Sequence, residues 1–217
     1  MKDLNDFLFL SASPNQHASH AYRFADALLN ALGERHPAMS VNRRDLAANP
    51  LPPLSTAYGA ALTKRTPADD PAFRQSEQLI DELERSRHLL IATPMHNFTV
   101  PATLKLWIDH VLRIGRSFSA GPEGKVGLLA DRPTYIIVSS GGFHQGPQAR
   151  QPDFLTDYLR HALRTIGITN SHFIYLQGLV GSEEAVSAAL SSARQQLSHT
   201  PLFAGVKPES TTSTPSA

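Results

Sequence analysis

Short apolar runs with strand character alternate with segments of helical period along most of this 217-residue chain. No other feature restricts its fold as strongly. The runs are Phe7–Leu10, Ser40–Arg44, His88–Ala92, Thr134–Ser139 and His172–Leu176. Between and after them, apolar residues recur at helical spacing in five groups: Phe24, Leu28, Ala31 and Leu32; Leu79, Ile80 and Leu83; Leu104, Trp107, Ile108, Val111 and Leu112; Phe154, Tyr158, Ala162 and Ile166; Val186, Ala189, Leu190, Ala193 and Leu197. Strands separated by helices pair in parallel through crossovers rather than as hairpins. The pattern therefore predicts a three-layer α/β sandwich with a five-stranded parallel sheet, order 2-1-3-4-5, and helices on both faces.

Two stretches depart from the alternation. Ala47 to Pro71 carries five prolines and little periodicity, which reads as an excursion beside the second strand rather than a linker. Lys207–Ala217 is rich in Ser, Thr and Pro and is expected to be a disordered tail, so residues 1–206 form the predicted domain. A net charge of +1 argues against a nucleic-acid partner, and the absence of cysteine excludes disulfide, iron–sulfur and thiolate-metal chemistry. Phe7–Leu10 is too short for a signal-peptide core or a membrane span, so a cytoplasmic location without a membrane partner is expected.

In a parallel sheet of this order, the loops after the first, third and fourth strands converge at one edge, where ligands bind. Ser11 to His20 is rich in small hydroxyl residues and opens a helix whose free N–H groups and positive dipole end favour a phosphate. Ser13 and Ser19 can equally serve as plain helix caps. Pro94-Met95-His96-Asn97-Phe98 offers an apolar and aromatic wall, and Ser139-Ser140-Gly141-Gly142 a glycine-backbone wall; the paired glycines permit positive φ, as an ordinary tight turn would also use them. Together the walls suit a planar heterocycle with polar edges. There is no G-x-S-x-G or H-E-x-x-H motif, and the Walker A and G-x-G-x-x-G patterns fail at Gly124-Lys125 and Gly141-Gly142. His17 and His20 share a helical face but lack nearby carboxylates for a zinc site.

Taken in order, Ser13-Pro14, Asp45-Leu46-Ala47-Ala48-Asn49-Pro50, Pro94 to Phe98, Leu104-Lys105, Gly115-Arg116-Ser117-Phe118, Gly121-Pro122-Glu123-Gly124 and Ser139-x-Gly141-Gly142 resemble the FMN-dependent NADH-azoreductase family of flavodoxin-like quinone reductases, over most of residues 7 to 180. The resemblance implies a homodimer with one FMN per subunit, reduced by NADH or NADPH and reoxidised by a planar quinone or azo acceptor in a ping-pong cycle. It implies that the phosphate rests on Ser13, Ser19, His20 and Ala21, that Met95, His96, Asn97 and Phe98 line one edge of the isoalloxazine, and that Ser139, Ser140, Gly141 and Gly142 line the pyrimidine side. Asn97 and His144 are the candidate catalytic residues, His144 as proton source, although either can be purely structural. Phe118 is placed near the dimer seam. Departures stand at His96, Ala21 and Ser140, where the family commonly has Tyr, Ser and Arg.

Those departures also motivate a competing class, a non-enzymatic flavodoxin-like electron carrier or partner-binding module with weak or lost FMN binding. A serine hydrolase built on Ser13 or Ser139 is a third reading, and it needs an acid–histidine pair that no motif supplies.

Overall fold

The computed structural model describes residues 5–200 and 202–206. The expected tail, 207–217, lies outside the described residues. Among the described residues, seven strands and six α-helices follow in the order β1 (Asn5–Ser11), α1 (His20–Arg35), β2 (Val41–Asp45), α2 (Thr56–Lys64), α3 (Arg74–Glu84), β3 (Ser86–Pro94), α4 (Ala102–Val111), β4 (Phe118–Gly121), β5 (Gly124–Gly127), β6 (Thr134–Ser139), α5 (Thr156–Thr165), β7 (Ser171–Leu176) and α6 (Glu183–Ser198).

Five strands form a parallel sheet in the order β2-β1-β3-β6-β7. This differs from 2-1-3-4-5 because an unanticipated antiparallel hairpin, β4-β5, takes the numbers between β3 and β6. Its four-residue strands bury only Phe118 and carry almost no apolar alternation, so periodicity gave no sign of them.

Side chains alternate across the sheet, and each face has its own core. Leu8, Leu10, Leu89, Ile91, Ile136 and Val138 pack against α3, α4 and α5; Phe7, Phe9, Leu90, Tyr135, Ile137 and Ile174 pack against α1 and α6. Helix α4 shows how sequence makes this layer. Pro101 sits at its N-cap, where a missing N–H costs nothing, and Leu104, Trp107, Ile108 and Val111 recur on one buried face. Each such side chain contributes about 1.5–3 kcal/mol on full burial. Trp107, 1% exposed, is core.

The proline-rich excursion contains a helix after all. Ser55 accepts the Tyr58 amide at 3.1 Å and starts α2, and Tyr58 and Ala61 pack with Phe73 in a small separate cluster. No helix among the described residues is long and apolar enough to cross a membrane.

Candidate active site

Three strand ends supply the site. Ser11, ending β1, pairs with Ala92, while Pro94 and Ser139, ending β3 and β6, pair with each other. The segments leaving these strands therefore share the carboxyl edge.

After β1, the Ser13 hydroxyl accepts the Asn15 amide at 3.2 Å, and one 3-10 turn leads to Ser19 at the N-cap of α1. The two serines thus differ. Ser13 is engaged in its own turn, whereas Ser19 is buried and its hydroxyl makes no capping bond. No acidic residue occupies the first turn of α1, so the helix start keeps free donors and its positive end for an anion. Ala21 is fully buried and offers only main chain. The His20 imidazole is pushed below the ordinary histidine range, first by burial and then by the Arg23 charge.

After β3, His96 and Thr99 exchange backbone hydrogen bonds of 2.9 and 3.0 Å, closing a turn whose central residues Asn97 and Phe98 have φ of 46° and 72°. Two consecutive positive φ values are the mark of a type I′ turn, where glycine and asparagine are favoured. Asn97 tolerates this; Phe98 bears roughly 1–2 kcal/mol of strain. Burial does not offset it, because the ring is 45% exposed. Neighbouring loops hold the turn: the Met95 amide donates to the Ser139 carbonyl at 2.8 Å, and the Phe154 amide to the Phe98 carbonyl at 2.9 Å. His96 and Asn97 are also exposed, and Met95 is half-buried, with Gln151 Nε2 at 3.6 Å from its sulfur.

After β6, neither Gly141 nor Gly142 uses the positive φ that glycine permits. Side chains of neighbouring loops crowd both positions. A Cβ on Gly141 would meet Val180 Cγ1 at 2.9 Å, and one on Gly142 would meet Gln151 Oε1 at 3.3 Å. Ser139 and Ser140 are buried, and the Ser140 hydroxyl turns back to donate to the Gly142 carbonyl at 2.8 Å.

His144 is the centre of a buried polar network. Its side chain has no exposure, its Nδ1 lies 3.0 Å from Asp153 Oδ2, and its Nε2 is buried without a hydrogen-bond partner. Burial opposes ionisation of Asp153, but hydrogen bonds from the Thr156 hydroxyl and amide, Gln145 and His144 outweigh it and hold the carboxyl at about 2. The residues that sequence reading missed are Asp153, Gln151, Thr156 and Gln177. A cap signal was present in Asp153-Phe154-Leu155-Thr156; the pairing with His144 needs the fold. The acid–histidine pair that a hydrolase requires is thus here, yet no hydroxyl reaches its Nε2.

Phe118, which the resemblance places near the dimer seam, offers little free surface in the single chain. It is buried within its own chain, with Lys125 Nζ 4.9 Å from the ring centre. The exposed apolar groups on the edge loops are instead Phe98, Phe143, Phe154 and Val180.

These residues fit FMN: free donors at the start of α1, an exposed strained turn, and an orphaned buried imidazole nitrogen on the same edge. Fold and edge together define a flavodoxin-like α/β protein, and the family model for the flavodoxin-like fold matches residues 5–200. Among relatives, FMN-dependent NADH:quinone oxidoreductase 4 of Pseudomonas fluorescens is 60% identical over 92% of this chain and 97% of its own length. FMN-dependent NADH:quinone oxidoreductase 5 of Burkholderia lata is 50% identical over 93% and 97%. The crystal structure of an azoreductase from Bacillus anthracis superposes with a TM-score of 0.75 at 24% identity, over 89% of this chain and 99% of that one, a likeness of fold. The chain belongs to the FMN-dependent NADH:quinone oxidoreductase family of flavodoxin-like proteins.

Proposed function

We propose that this protein is an FMN-dependent NAD(P)H oxidoreductase that reduces quinones and azo compounds by two-electron, ping-pong hydride transfer. The observation that carries the reading is the convergence, at one sheet edge, of a helix start with no opposing acid and the exposed turn at Asn97 and Phe98. The curated relatives at 60% and 50% identity support the same chemistry.

FMN, when bound, supplies the atom that accepts and returns hydride. The chain's residues bind, orient and shield it. Ser13, Ser19 and the amides of His20 and Ala21 hold the phosphate. Met95, His96, Asn97 and Phe98 border the ring system, and Asn97, at positive φ, presents its main chain on an exposed turn. Ser139, Ser140, Gly141 and Gly142 border the pyrimidine side, where His144, once protonated on Nε2, provides a further donor for charge gained on reduction. Ser140 acts through the turn it closes, since its hydroxyl is spent on Gly142. Phe98, Phe143, Phe154 and Val180 give a flat acceptor an apolar surface.

The unit that carries this chemistry is the domain of residues 1–206, acting in the cytoplasm as a homodimer with no nucleic-acid or membrane partner. A carrier that docks on basic partners would be strongly acidic, and the net charge of +1 does not favour that alternative.

Steady-state turnover with NADH and a benzoquinone tests the proposal. Parallel double-reciprocal lines are expected; absence of turnover with either nicotinamide and with both acceptor classes would contradict it.

A further inference from the structure

We propose that Asp153 is a positioning residue for this reaction: its carboxylate fixes His144 with hydrogen on Nδ1 and leaves Nε2, which has no partner in the chain, as the ring atom that takes up a proton when the flavin is reduced. The inference rests on the flavin reading of the site.

The hydrogen-bond accounting leads there. Asp153 Oδ1 receives the Leu155 and Thr156 amides at 2.9 and 2.8 Å, which caps α5. Oδ2 receives the Thr156 hydroxyl and Gln145 Nε2, both at 2.6 Å, and faces His144 Nδ1 at 3.0 Å. A carboxylate so placed only accepts, and its acidity keeps it ionised at neutral pH. The hydrogen between the two groups therefore belongs to His144. The loop is pinned as well, because the His144 and Gln145 amides both donate to Gln177 Oε1 at 2.8 Å. From β7, Tyr175 packs edge-on against the imidazole, 5.3 Å between centroids, and its hydroxyl lies 3.1 Å from Thr156 Oγ1. A ring turned over would lose its bond to Asp153, and the loop cannot swing out without breaking the two bonds to Gln177.

A cap alone would not need this arrangement. Asparagine caps a helix as well as aspartate does, whereas the second oxygen also gathers the Gln145 and His144 donors of the loop, beside the Thr156 hydroxyl of the helix. Asp153 is the charged side chain bonded to His144, and from α5 Asp157 and Arg160 act on Tyr175.

The wild-type chain gives the first test. Long-range nitrogen–proton NMR correlation of the His144 ring at neutral pH should show a protonated Nδ1; a lone pair on Nδ1 would overturn the proposal. The second test is Asp153→Asn, loaded with FMN, alone and in the His144→Gln background. Asparagine keeps the cap but loses the carboxylate. Anaerobic bleaching of the flavin by NADH should slow roughly tenfold or more, in the range of a lost acid–base group, and the change should fall below about twofold once His144 is gone, because the two residues act as one unit. Equal slowing in both backgrounds would make Asp153 a mere cap and overturn the idea. Wild-type flavin that neither nicotinamide can bleach would count against the flavin reading itself, while the NMR result would still decide the pairing.

Discussion

Gly127 of β5 and Gly167 beyond α5 pass backbone against backbone: a Cβ on Gly127 would fall 2.1 Å from the Gly167 nitrogen and 2.4 Å from its Cα. Neither backbone can retreat cheaply, since Gly167 has φ of 104° and its own Cβ position lies 2.4 Å from the Leu129 carbonyl oxygen. This contact seats the hairpin on the end of α5. Gly127→Ala should therefore cost about 3 kcal/mol or more. Gly59→Ala, in α2 with nothing within 4 Å of the new methyl, should instead gain roughly 0.5–1 kcal/mol. Urea denaturation midpoints of the two variants should move in opposite directions.

The strain at Phe98 makes a second prediction. Its φ of 72° is hostile to β-branched residues and acceptable to asparagine. Phe98→Val should lower stability by about 1–2 kcal/mol, while Phe98→Asn should leave the thermal midpoint unchanged or raise it. Both should raise the KM for a quinone, because both remove the exposed ring. A KM unchanged in Phe98→Asn would remove this ring from the acceptor site.

Away from the site, Arg113 is the most buried charge among the described residues, its side chain 2% exposed against Glu77, with Phe73 beneath the guanidinium at 4.7 Å. Burial opposes ionisation of Glu77, but hydrogen bonds from Arg116 and Arg113 outweigh it and hold the carboxyl below its ordinary value. Glu77→Gln leaves Arg113 with only neutral acceptors and should destabilise by about 2–4 kcal/mol. Arg116 keeps Glu84, at 2.7 and 2.8 Å, so the loss belongs to Arg113. Chemical denaturation of the variant reads this directly.

Asp153 predicts a pH dependence. Its carboxyl sits at about 2 in the fold against an ordinary 3.8. A depressed carboxyl stabilises the fold above its unfolded pKa, and that contribution disappears as pH falls through the folded value. Wild type should lose this stability between about pH 4 and pH 2, and Asp153→Asn should lack that acid limb. Thermal midpoints of the two proteins should converge as pH approaches 2; a constant gap from pH 7 downward would contradict the assignment.

Most of the layered architecture was readable from sequence because each face of the sheet is buried. Apolar alternation placed Thr134–Ser139 at the observed limits of β6, and the stripe Leu104, Trp107, Ile108 and Val111 is the observed core face of α4. Elements that bury little were invisible, as with the hairpin β4-β5. Helix α2 was hidden by the prolines around it, though Ser55 marks its start. At the site, the three loops were identifiable from their strands, but their backbone conformations were not. Positive φ falls on Asn97 and Phe98, where phenylalanine gives no warning, and not on Gly141 and Gly142, which Val180 and Gln151 crowd. The partnership of His144 with Asp153 spans nine positions of chain and is backed by Tyr175 of β7 and by Gln177 just beyond it.

The central claim is that this edge holds a flavin which nicotinamide reduces. Protein incubated with FMN, desalted and examined anaerobically by visible absorption tests it most directly. Retained flavin absorption that bleaches on addition of NADH or NADPH, and returns on addition of a quinone, is the predicted result. A colourless protein after desalting, or bound flavin that neither nicotinamide bleaches, would contradict it.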